Sequence, residues 1–210
     1  MKNKRKQIAA VCIVLALAVV IGRIVSVNAS AFSMETEIYQ VGDWVPLSGS
    51  FFYSAQAHTD GYSIQVESAE ALRYETFMER FDRAPDYLAE NSRQDVILLK
   101  LNVKNENNTD GGIFIRDFWL SNEYRSAYFC RDDIYMAIAN PQHEQVPDGV
   151  RVRPGTEASF YIVYTTIGRA DGVTYLEEIS GREDVKMSLD VSLYPVRKNV
   201  KMRIELSDIR

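Results

Sequence analysis

Three stretches of the chain alternate apolar and polar residues with a period of two, the pattern of strands buried on one side. In DVILLKLNVKN, Ile97, Leu99, Leu101 and Val103 share one face, and Lys100, Asn102 and Lys104 share the other. In VKMSLDVSLY, Val185, Met187, Leu189, Val191 and Leu193 oppose Lys186, Ser188, Asp190 and Ser192. In VKMRIEL, Val200, Met202, Ile204 and Leu206 oppose Lys201, Arg203 and Glu205. A helix, repeating every ~3.6 residues, would scatter these side chains around its surface. The last two runs, joined by PVRKN, read as an antiparallel pair.

Further strands are expected at Glu37–Gln40, Tyr62–Val66, Ala69–Tyr74, Ile113–Leu120, Arg125–Phe129 and Ala158–Tyr164. Between them lie Asp60-Gly61, Asp110-Gly111-Gly112, Asp148-Gly149, Pro154-Gly155 and Asp171-Gly172, which supply the positive φ of tight turns. Only Glu75–Phe81 and Asp132–Ala139 look helical, the second with Asp132 as N-cap and Pro141 beyond its end. Many short strands and few helices predict a mainly β domain, an antiparallel β-sandwich with one or two short helices.

The N-terminus is of another kind. Met1 to Arg23 holds five of the 24 Lys and Arg and no acid, which leaves 19 basic against 29 acidic groups, a net of −10, in the remainder. So acidic a body repels phosphate backbones and argues against nucleic-acid binding. MKNKRK followed by IAAVCIVLALAVVIG is a membrane-targeting signal with its basic end kept in the cytoplasm. As a helix, Ile8 to Gly22 spans about 22 Å, short of the ~30 Å hydrocarbon core. Extension to Val27, with Arg23 reaching the headgroups, makes it long enough. The expected organisation is therefore a basic flank and membrane helix over 1–27, a tether over 28–34 and an exported domain over 35–210. The alternative is a secreted chain, cut after Ala29 or Ala31. Cys12 is no lipid-anchor site, because bulky Val11 precedes it. Cys130 is then alone in the exported part, so no internal disulfide forms. An exported chain without disulfides behind a short basic leader points to a bacterium, and ~180 residues suffice for one core.

Three pieces together carry a resemblance: the strand ending in VKNENN with the IRDFWLSNEYRSAY pair after it, VRVRPGTEASFYIVY, and the last two strands. Their order resembles the small immunoglobulin-like extracytoplasmic domains that Gram-positive bacteria carry behind a single N-terminal anchor or lipoprotein signal. YQVGDWVPL, DGYSIQVESAEAL and ETFMERF are similar to an uncharacterised family of such anchored proteins. The resemblance implies an immunoglobulin-like fold outside the membrane. It brings no reaction and no functional residue, and the chain departs from the lipoprotein members in lacking a usable lipobox.

Candidate chemistry is sparse. His58 and His143 lie near Asp60 and Glu144 without the spacing of a zinc site. Ser48, in LSGS, has no nucleophile-elbow pattern. Cys130 would need a base, and reads instead as a buried or half-buried thiol at a strand end. In NENNTDGG, an EF-type loop started at Asn105 puts Asp110 where Gly is required, so the stretch reads as a hairpin turn. Asp132 and Asp133 are adjacent and do not face each other, which favours capping over paired-acid chemistry. No metal, no cofactor and no catalytic residue is expected.

Aromatic residues are the most suggestive group. Tyr39, Trp44, Phe51, Phe52 and Tyr53 cluster early, and Phe114, Phe118, Trp119, Tyr124, Tyr128 and Phe129 cluster in the middle. Consecutive Phe118 and Trp119 must point to opposite faces of a strand. Trp44, Phe52, Trp119 and Tyr124 are the candidate partner-binding residues. The expected function is a membrane-tethered extracytoplasmic module that binds another protein of the bacterial envelope. The alternatives are a cell-wall-directed hydrolase and a sensor or immunity-type accessory protein beside a transporter.

Overall fold

All three alternating stretches form strands. The computed structural model describes residues 2–29, 34–52, 58–142, 149–165 and 185–206. Nine strands and three α-helices follow one another among them: α1 (Lys2–Ala29), β1 (Thr36–Gln40), β2 (Trp44–Pro46), β3 (Tyr62–Leu72), α2 (Tyr74–Arg80), β4 (Val96–Asn105), β5 (Trp119–Asn122), β6 (Tyr128–Arg131), α3 (Asp133–Ala139), β7 (Thr156–Thr165), β8 (Lys186–Ser192) and β9 (Arg197–Arg203).

Met1–Met34 and Glu35–Arg210 are separate compact units. In the first, α1 continues through Asn28 and Ala29, two residues expected in a tether. Its described side chains from Cys12 to Asn28 are all exposed. Among the described residues, no helix is long and apolar enough to cross a membrane. Ala31 lies outside the described residues.

The second unit is mainly β, as expected, but the antiparallel immunoglobulin-like sandwich must be corrected. One nine-stranded sheet, in the order β1-β9-β8-β5-β6-β7-β4-β3-β2, curls into a nearly closed barrel, and its β1–β9 pair is parallel. Two segments prevent separation into two sheets. β6 pairs Tyr128 and Phe129 with Ser121 and Leu120 of β5, then Cys130 and Arg131 with Thr165 and Tyr164 of β7. The stretch 36–46 supplies both ends of the order, turning between β1 and β2 at Gly42, whose φ of 91° suits glycine. Beyond β9, Glu205 exchanges backbone hydrogen bonds with Ala69 and Ala71 and draws the curled sheet together.

Once β6 has left the edge of β7, α3 takes its place. Asp132 N–H donates to Val163 O at 3.1 Å, and Val163 N–H reaches Met136 Sδ at 3.2 Å. Asn140 Oδ1 accepts from Tyr161 N–H at 2.8 Å, while its Nδ2 donates to Tyr161 O at 2.9 Å. The side-chain amide thus presents to the strand what a neighbouring backbone would. The cap on α3 is as expected, with Asp132 Oδ1 accepting from Ile134 and Tyr135 N–H.

Several boundaries differ from the periodicity. Tyr62–Val66 and Ala69–Leu72 belong to the single strand β3, interrupted by a register shift between Val66 and Ser68, while Tyr74, expected at the end of the second strand Ala69–Tyr74, opens α2 instead. Only the end of Ile113–Leu120 is strand; Ile115–Asp117 is a 3-10 turn. Arg125 sits at φ 57° in the β5–β6 turn. The RKN of PVRKN lies inside β9. Three-residue β2 was not foreseen. NENNTDGG closes no hairpin, because β4 pairs with β3 and β7 and not with the chain that follows. There Gly111 permits close approach instead: a Cβ would lie 1.6 Å from His58 O.

Candidate functional site

The inward faces of β3, β4, β7, β8 and β9 bury Ile64, Leu99, Leu101, Ile162, Leu189 and Val200 completely. Each such side chain contributes ~1.5–3 kcal/mol. Against this frame, the features able to recognise another molecule lie where the sheet is irregular.

A groove of about 680 Å³ opens where β6 passes from one half of the sheet to the other, lined by Trp119, Tyr128, Cys130 and Arg131 among others. Strand parity places Trp119 outward, 36% exposed, and leaves Phe118 buried. Tyr128 is half-exposed and meets Trp119 edge-on, with ring centroids 6.4 Å apart. Buried Phe52 supports Trp119 at 5.6 Å and Phe118 at 6.3 Å. Arg131 pairs with exposed Asp133 at 2.8 Å. The arrangement offers two rigid aromatic faces beside charged groups, as contact surfaces do.

The four aromatic candidates therefore separate. Trp119 lines the groove. Phe52 is buried beneath it, which corrects its reading as a contact residue: it packs against Trp119 and Phe118 instead of meeting solvent. Tyr124, 84% exposed, lies in the β5–β6 turn. Trp44 is on β2, at one end of the sheet order, under the Lys104 ammonium at 6.0 Å. Tyr128, of the same aromatic cluster, joins Trp119 only through the β5–β6 pairing, which spacing along the chain does not show. Tyr53 and His143 lie outside the described residues.

Other candidates resolve into structure. Cys130 is exposed in the groove, not buried as expected, because it sits where β6 leaves β5. Asn105 and Asn108 spend their amides on backbone groups: Asn105 Nδ2 donates to Asn108 and Val152 O, Asn108 Oδ1 accepts from Asp110 and Gly111 N–H, and Asn108 Nδ2 donates to His58 and Asp60 O. Among the described residues, no cluster of three or more His, Cys, Asp or Glu could hold a metal.

A buried polar network on β8 and β9 has no counterpart in the periodicity. Asp190 is 1% exposed. Arg197 grips it twice, through Nε at 3.0 Å and Nη2 at 2.5 Å, and Arg125 Nη2 lies 3.3 Å away. Asn199 Nδ2 donates to it at 2.7 Å, and Ser188 Oγ donates to Asn199 Oδ1 at 2.8 Å. Burial pushes the Asp190 carboxyl up, while the Asn199 amide and the Arg125 and Lys201 charges pull it down. Burial likewise lowers Lys198, opposed by Glu37. It also raises the Tyr135 phenol to about 12. The network is fully paired and structural in character.

A barrel-like β domain with an aromatic groove is thus the class that fold and site define. The chain belongs to the family described as Domain of unknown function (DUF5028), whose profile matches residues 36–198. No curated protein matches the sequence. A solved structure described as a "putative lipoprotein", from Staphylococcus aureus subsp. aureus NCTC 8325, covers 82% of this chain and 98% of its own, with 9% identity and a TM-score of 0.40. At that identity and score, neither chain's shape informs the other.

Proposed function

We propose that this protein is a membrane-tethered extracytoplasmic binding module of the bacterial envelope, and that its β5–β6 groove receives a protein partner. The carrying observation is the Trp119–Tyr128 ring pair, partly exposed and supported from below by Phe52, which itself packs on buried Phe118. Rings presented in this way give contact area with little conformational entropy to lose, which is why Trp and Tyr dominate binding hot spots. The basic flank ahead of the apolar N-terminal segment supports tethering, with the domain outside. No enzymatic reaction is part of the proposal.

The test is crosslinking of the full chain in its native membrane, followed by recovery of the adduct. One partner should be recovered, lost with Trp119→Ala and kept with Trp44→Ala, which alters the far end of the sheet. Equal recovery with Trp119→Ala would remove the groove from the proposal. Mass spectrometry of the mature chain tests the tether: a new N-terminus near Ser30 or Phe32 would make the protein secreted.

A further inference from the structure

A second cavity, of about 460 Å³, lies at β7, where α3 has ended. α3 serves the strand edge at Tyr161 and Val163, and Asn140 closes that run. The cavity begins past it, with Ala158 and Phe160 from β7 facing Met136, Ile115, Val150 and Val152. Ala158 and Phe160 pair with Val103 and Leu101 and share their core-facing side of the sheet. The cavity is thus a gap in the barrel wall opening toward the core.

Its apolar lining is matched by polar groups already spent elsewhere. Val150 and Ile113 exchange both backbone hydrogen bonds, at 2.7 and 3.0 Å. Val152 O accepts from Asn105 Nδ2 at 2.7 Å and from Tyr62 Oη at 3.2 Å, and Val152 N–H donates to Tyr62 Oη at 3.3 Å. Both amide hydrogens of Asn140 are used, on Met136 O and Tyr161 O. Water gains little in a space whose polar walls are satisfied, and such spaces take apolar guests instead. The volume lies within the range of small-molecule sites. Exposed Arg153, Thr156 and Glu157 at the same opening leave a polar end in solvent.

We infer that this cavity binds the hydrocarbon tail of a small amphipathic molecule, tail toward Ala158 and Phe160 and head group in the mouth. The site is separate from the Trp119 groove and stands whether or not that groove takes a partner.

Isothermal titration of the full chain with octanoate, decanoate and dodecanoate, each below its micelle concentration, tests the inference. Expected is saturable one-to-one binding that tightens about fourfold per added methylene until the cavity is full. Ala158→Trp, in the same preparation, should weaken dodecanoate at least tenfold. Thr156→Trp, at the exposed rim, serves the same purpose if Ala158→Trp disturbs the strand, as circular dichroism would reveal. Absence of saturable binding, affinity independent of chain length, or undiminished binding in a folded variant would overturn the inference.

Discussion

β4 and β8 share one alternation of apolar and polar residues, yet their polar faces meet different ends. On β4, Lys100, Asn102 and Lys104 stay partly exposed and form contacts at the surface, among them Lys100–Glu67 at 2.7 Å. On β8, Ser188, Asp190 and Ser192 are all buried, and Asp190 is enclosed by two guanidinium groups and an amide. Alternation reveals which side of a strand is apolar. It does not reveal whether the other side is wet, because that is decided by what the rest of the chain lays over it.

The sharpest test of this contrast is Asp190→Ala, expected to cost about 3–5 kcal/mol, since it leaves charged and amide partners facing a buried gap. The urea midpoint of the full chain measures it, and a loss comparable to a surface substitution would erase the distinction between the strands. Asn140→Ala should cost about 1–3 kcal/mol, by leaving Tyr161 N–H and O without partners at the β7 edge. Hydrogen exchange should quicken at Tyr161 before it quickens in β4. Removing the α3 cap with Asp132→Ala should cost about 0.5–2 kcal/mol by the same denaturation measurement. Smallest of all, Lys100→Ala should leave the midpoint unchanged within scatter, as exposed ion pairs generally do. A clear loss there would mean that the outer face of β4 is more enclosed than its exposure indicates.

What the sequence made legible follows the same division. The inward residues of β4, β8 and β9 could be named from spacing alone, as could the Asp132 cap and the opposite facing of Phe118 and Trp119. These depend on neighbours within a few residues. β2 escaped notice because three residues, the last of them Pro46, carry no period. The Asp190 network was illegible because Arg125 comes from a turn 65 positions away. The replacement of a ladder strand by α3 was hidden for a similar reason: Asn140 looks like a helix terminator until Tyr161 is beside it. Among the aromatic residues, the outward position of Trp119 follows from its parity, whereas the burial of Phe52 could not be read because its short segment has no alternation.

The origin of both sheet ends in the single stretch 36–46 bears on self-association. An open sheet invites strand-by-strand stacking of one copy on another through its unpaired edges. Here the outermost strands have five and three residues, the turn at Gly42 separates them, and Pro46 withholds a backbone donor from the shorter. Neither border offers a long straight template, so packing many copies side by side need not seed fibres.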